Sequence, residues 1–239
     1  MYVCMSDLAL LTGEVRLPDP DLMADLYTVA IQVLQDAGLY RYEVSNFARH
    51  PAAESLHNRG YWQGHQYIGI GPGAHSRVVP QCWNSAGNSD KTNNGTVSEI
   101  KTPEQNGLSE DSKRSHGSTL ANQVIREAKV NAADPASWLQ EARRKGNGAR
   151  KTECQTRLTC AAEYLASGLR TREGVRARQW CVFLPHRPLW EVFGGEIDWL
   201  TDQGLVCLTP EGLTATGEGL AVLDSILPHL YNVLCSHRG

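Results

Sequence analysis

Tyr67-Ile-Gly-Ile-Gly-Pro-Gly-Ala-His75 is the stretch that decides the fold class of this 239-residue chain. Tyr67-Ile-Gly-Ile70 has the aromatic and β-branched content of a strand, and Gly71-Pro-Gly73 stops it, because glycine and proline both draw a chain out of a sheet. A strand that empties into a glycine-rich turn, with His75 just beyond, is how α/β folds aim backbone N–H groups at an anionic or polar ligand. Three glycines beside a proline also make a plain tight turn, so the neighbouring segments carry the decision.

Upstream, Asp19 and Pro20 start a helix as cap and first-turn residue. Leu22, Leu26, Val29, Ala30, Val33, Leu34 and Ala37 then keep the 3.6-residue period, and Gly38 ends it. Tyr40, Tyr42 and Val44 alternate as a strand does. Helix, strand, loop, strand and glycine turn predict an α/β unit over residues 1–81. From about Asn84 to Thr119 the chain is polar, and Val97, Ile100 and Leu108 are nearly its only large apolar residues. Such a segment buries too little surface to offset its chain entropy, so a disordered insertion is expected, with limits at 82–130. Residues 131–239 read as mainly helical. Leu158, Ala161, Ala162, Leu165 and Leu169 share one helix face, Trp190 to Leu200 forms another helix closed by Gly204, and Gly219 to Leu230 forms the last. Between them Leu205 to Thr216 alternates about Pro210-Glu-Gly212 as a hairpin does. The outline is winged-helix-like.

Charge limits the partners. Lys plus Arg number 23 against 26 Asp plus Glu, a net charge of −3, which is no footprint for nucleic acid or an anionic membrane. Residues 150–190 hold eight basic residues against three acids, but residues 191–239 hold only Arg238 against seven acids. The hairpin and final helix are therefore acidic where a DNA reader carries cations, and no nucleic-acid partner is expected. No apolar run approaches the ~20 residues that span a bilayer. The first eleven residues have neither the basic n-region of a secretory signal nor the arginines of a mitochondrial presequence. Seven cysteines (Cys4, Cys82, Cys154, Cys160, Cys181, Cys207, Cys235) are scattered without metal-ligand spacing, and buried or idle thiols are expected. Serine-hydrolase, zincin and P-loop motifs are absent.

The densest cluster of unusual residues runs from Ser55 to Tyr67. His57, Tyr61, Trp62, His65 and Tyr67 place two histidines, two tyrosines and a tryptophan within eleven residues. Imidazole ligates borderline metals and haem iron, and rings beside it cover a porphyrin face. By composition alone, a solvated loop that packs Trp62 on the core is the simpler reading.

Three motifs in order go further. Tyr42-Glu-Val-Ser-Asn-Phe-Ala-Arg49, His57-Asn-Arg-Gly-Tyr-Trp62 and Tyr67-Ile-Gly-Ile-Gly-Pro-Gly-Ala-His75 resemble the back half of HemW-type proteins. These are radical S-adenosylmethionine relatives of oxygen-independent coproporphyrinogen III oxidase, regarded as haem chaperones, with a mitochondrial version in animals. Ala166-Ser-Gly-Leu-Arg170 and Thr216 to Asp224 resemble the same family's C-terminal domain. The resemblance implies an α/β fold, the C-terminal remnant of a TIM-like radical S-adenosylmethionine barrel followed by a mainly helical, winged-helix-like domain. It implies haem as ligand at the H-N-x-x-Y-W motif, here His57, Asn58, Tyr61 and Trp62, with His57 on the iron and Tyr61 and Trp62 as walls. Haem-accepting apo-proteins follow as partners, and a mitochondrial location, with the cytosol as the alternative for a chain without a presequence. Gly71, Gly73, Ala74 and His75 match the part of the oxidase fold that approaches a second S-adenosylmethionine.

The family's front half, with its C-x-x-x-C-x-x-C site for a [4Fe–4S] cluster and most of its S-adenosylmethionine contacts, has no counterpart in this sequence. A truncated form without enzyme activity is therefore expected, with no catalytic residue and no cluster ligand. An open barrel remnant exposes apolar edges and predicts self-association. The alternatives are a radical S-adenosylmethionine coproporphyrinogen oxidase-like enzyme if the chain is full-length, a cofactor-free fragment that binds a protein through its winged-helix-like tail, and a fragment without function.

Overall fold

The computed structural model describes Thr12, residues 17–79 and residues 120–236. It divides into two compact units, Met1–Glu54 and Ser55–Gly239. The expected insertion lies outside the described residues up to residue 119; the rest of it, to residue 130, is ordered structure.

In the first unit, helix α1 (Pro20–Asp36) starts as expected: Asp19 Oδ1 accepts from the Asp21 N–H at 2.9 Å. Gly38, at φ +75°, turns the chain out of it. The apolar stripe of α1 buries little, for none of its residues is buried and Leu22, Leu26, Val29 and Val33 stay exposed. The alternating run after it is a hairpin and not one strand, β1 (Tyr40–Glu43) pairing antiparallel with β2 (Asn46–Ala48). The buried Glu43 carboxylate makes that turn, accepting from the Ser45 N–H at 3.0 Å and from Asn46 Nδ2 at 2.6 Å.

In the second unit, helix α2 (Leu56–Trp62) is capped by Ser55, whose Oγ accepts from the Asn58 N–H at 3.3 Å. The strand expected at Tyr67–Ile70 is replaced by a single bridge between Tyr67 and Arg77. Ile68 and Ile70 stand 76% and 85% exposed. The real strand, β3 (His75–Val78), lies beyond the glycine turn. Gly71 at φ +103° and Gly73 at φ +69° reverse the chain, so the residues ahead of the turn meet β3 at one point only.

β3 pairs antiparallel with β4 (Val124–Asn131), and β4 with β5 (Ala149–Thr156); helix α3 (Pro135–Lys145) joins the last two. This sheet unites segments assigned above to three separate domains. Residues 131–239 are mainly helical as expected, and β5 is a strand not foreseen there: it is polar because it is an edge strand and largely exposed, which hides it from a search for apolar alternation.

Helix α4 (Arg157–Leu169) supplies the core, with Leu158, Ala161, Leu165 and Leu169 buried on the predicted face. Strand β6 (Val175–Arg176) and helix α5 (Ala177–Phe183) follow. The single helix expected over Trp190–Leu200 is two, α6 (Leu189–Phe193) and α7 (Asp198–Asp202), because Gly194 and Gly195 interrupt it, the latter at φ +80°. The predicted hairpin is present as β7 (Val206–Thr209) and β8 (Gly212–Ala215), with β6 beside β8. Helices α8 (Gly217–Ala221) and α9 (Leu223–Ser236) close the unit. Trp180, Phe193, Leu213, Leu230 and Leu234 fill its interior with Leu165 and Leu169. Helix and sheet are mixed, as an α/β fold requires, while every strand pair among the described residues is antiparallel. None of their helices is long and apolar enough to cross a membrane.

Candidate functional site

Helical geometry builds the site, because residues four apart share a face. His57 and Tyr61 on α2 meet there: Tyr61 Oη and His57 Nε2 share a hydrogen bond of 2.6 Å, and the rings stand edge to face at 4.6 Å. Tyr67 then packs edge to face against Tyr61 at 4.3 Å. The result is a row of three rings with an exposed imidazole at its open end. Asn58 and Trp62 are half-buried on the same helix, and the Trp62 carbonyl accepts from Ser167 Oγ of α4 at 3.4 Å. Burial pushes the Tyr67 hydroxyl above its ordinary pKa, with the Arg77 charge opposing.

Ion pairs seat α2 and Tyr67. Arg59 of α2 and Gln63, which caps its C-terminal end, donate to the Glu173 carboxylate at 3.0 and 3.1 Å, and Arg176 closes on it at 2.7 Å. Beside Tyr67, Arg77 and Arg126 converge on Glu163 of α4 at 2.8 and 3.0 Å, with Gln155 bridging Arg126 and Glu163. Neither Tyr67 nor these ion pairs belonged to the expected site. Tyr67 lay in view at the head of the decisive motif; apart from Glu173–Arg176, the ion pairs join residues tens of positions apart and leave no trace in spacing.

The glycine turn is built differently from the expectation. The Gly73 N–H donates to the Ala132 carbonyl at 2.9 Å and the Ala74 N–H to Gly71 at 3.3 Å, so two of its donors serve the fold. Asn131 Nδ2 holds the Gly71 carbonyl at 2.9 Å. His75 is exposed at the head of β3. Among the described residues no three His, Cys, Asp or Glu side chains gather as a metal site. Cys160 is buried, and burial raises its thiol pKa, while Cys154, Cys181 and Cys207 are exposed. Cys4 and Cys82 lie outside the described residues.

Residues 156–222, which include α4 and the three-stranded sheet of β6, β8 and β7, match the HemN C-terminal domain family. Over 90% of its length the chain is 42% identical to mouse "Radical S-adenosyl methionine domain-containing protein 1, mitochondrial", and over 93% it is 38% identical to the bovine protein of that name. It spans 40% and 42% of those two proteins. A shorter stretch of 73 residues, 30% of this chain and 18% of the other, is 47% identical to "Heme chaperone HemW" of Mycobacterium tuberculosis. The solved structure of Escherichia coli coproporphyrinogen III oxidase (HemN), described as a radical SAM enzyme, aligns with 98% of this chain and 46% of its own at a TM-score of 0.53 and 12% identity, which establishes the fold. The resemblance drawn from the three motifs therefore holds, and it holds for the C-terminal part of these proteins.

Proposed function

We propose that α2 carries a haem-holding surface, and that in the longer proteins this chain resembles it takes up haem and passes it to haem proteins in mitochondria. The observation that carries this is the exposed His57–Tyr61 pair backed by Tyr67. An imidazole nitrogen and a phenolic oxygen are both donors that haem iron accepts, and the rings beside them suit a porphyrin face. The relatives named mitochondrial, and those named heme chaperones, support the setting.

The geometry refines the role of His57. Tyr61 Oη occupies Nε2, so iron reaches that nitrogen only when Tyr61 swings away. Alternatively Tyr61 itself binds iron as phenolate, its proton passing to Nε2. Trp62 and Asn58 belong to the rim of the same surface. At the glycine turn, Gly71, Gly73 and Ala74 shape the backbone and the exposed His75 imidazole is the group offered to a polar ligand such as S-adenosylmethionine. The [4Fe–4S] cluster finds no ligand set among the described residues.

Hemin titration of the purified chain tests the proposal at the Soret band. Saturation at about one equivalent is expected, as for a single axially ligated haem, with weaker binding and a shifted band in His57→Ala and an altered spectrum in Tyr61→Phe. Non-saturating binding, equal in the chain and in His57→Ala, would overturn it.

A further inference from the structure

A cleft of about 710 Å³ opens in the second unit between the loop after α2, the start of β4, the start of α4 and the end of α5. Its size falls in the range of small-molecule pockets. No aspartate or glutamate lines it, while Arg126 and Arg157 do. Arg126 is 4% exposed, and its guanidinium lies 5.9 Å over the ring of Phe183. Glu163 neutralises part of this charge, but it serves Arg77 as well as Arg126, so the trio keeps one net positive charge.

Arg157 has no such neutralisation. Its Nε donates to Gln123 Oε1 at 2.9 Å and its Nη1 to the Val182 carbonyl at 2.9 Å, both uncharged acceptors. Among the described residues it forms no ion pair. It is also the first residue of α4, where the helix adds its own positive end and a cation is disfavoured. The stability of α4 does not explain it; its structural partner is the C-terminal end of α5, whose Val182 and Phe183 carbonyls its Nη1 reaches at 2.9 and 3.5 Å. Val124, Val182 and Phe183 give the same cleft an apolar wall.

We propose that this cleft binds an organic carboxylate with an apolar, aromatic body. The body lies against Phe183 and Val182, and the carboxylate meets the guanidinium of Arg157 with Arg126 behind it. A guanidinium fork held by neutral acceptors is ordered in advance for a carboxylate, which cuts the entropy lost on binding. The proposal is independent of haem binding at α2.

Fluorescence titration of the 239-residue chain with 1-pyrenebutyrate, beside the uncharged 1-pyrenebutanol, tests it. The acid should saturate and bind about tenfold tighter than the alcohol, the ratio a charge-assisted hydrogen bond produces. Arg157→Gln should remove that preference. Val182→Asp sets a negative charge at a residue 56% exposed; it leaves the fold intact and should weaken the acid more than the alcohol. Equal binding of acid and alcohol, no saturable binding of either, or an acid preference that survives both substitutions would overturn the proposal.

Discussion

Gly69 shows how closely backbone meets backbone at the glycine turn. A Cβ built there would stand 2.1 Å from the His75 carbonyl oxygen and 2.9 Å from Ala74 Cβ. The first obstacle is main chain and cannot rotate aside. Gly69→Ala should therefore cost about 1–3 kcal/mol, the usual range for overpacking, read as a lower urea midpoint at unchanged slope; an unchanged midpoint would show that the turn yields. Tyr67 gives the matching pH argument. Burial raises its folded-state pKa above the ordinary tyrosine value. The unfolded chain thus releases this proton first as pH rises past about 10, binds fewer protons than the folded chain, and stability falls with pH through that window. Tyr67→Phe should flatten this alkaline limb in denaturation curves taken from pH 9 to 11, whereas a limb as steep as before would assign it to other groups, such as the buried Tyr164 and the half-buried Tyr231.

Among the elements, α4 has two roles on two faces. One face fills the core with Leu165 and Leu169; from the other Glu163 holds Arg77 of β3 and Arg126 of β4. Removing one partner of a buried ion pair strands the other charge. Glu163→Gln should destabilise the chain by about 2–3 kcal/mol, less than the roughly 3–5 kcal/mol of a fully buried pair because its side chain is about one-third exposed; a thermal midpoint within one degree of the parent would refute the role. Glu173 does the corresponding work for α2, receiving Arg59 and Gln63. Glu173→Gln should loosen α2 and weaken hemin binding several-fold without shifting the Soret maximum, since it touches no ring of the His57 row. A shifted maximum would place Glu173 closer to the haem than the structure does.

Across the whole molecule, burial is uneven. Helix α1 has no buried residue, whereas α4 has seven among thirteen. Local opening is cheap where few apolar contacts hold an element. Amide exchange should therefore be fast throughout residues 20–36 and slow at Ala161, Leu165 and Leu169; comparable protection in both helices would contradict that contrast. The apolar stripe of α1 has helical periodicity without the burial that such periodicity usually signals.

How much of this was legible in the sequence follows from the range of each interaction. The start of α1, the buried face of α4 and the β7–β8 hairpin rest on residues within a few positions of one another, so cap, period and turn chemistry were sufficient to locate them; the stretch that holds His57 and Tyr61 was read as a loop, and only the structure shows the helix that pairs them. The three motifs located the family for the same reason, being short and contiguous. The β3–β4–β5 sheet, the charges gathered on Glu163 and the cationic cleft needed the tertiary structure. A polar edge strand such as Ala149–Thr156 has no apolar alternation to detect, and an ion pair between residues 77 and 163 follows no sequence period. Local chemistry determines the elements; which distant side chains meet depends on how the elements pack around one core.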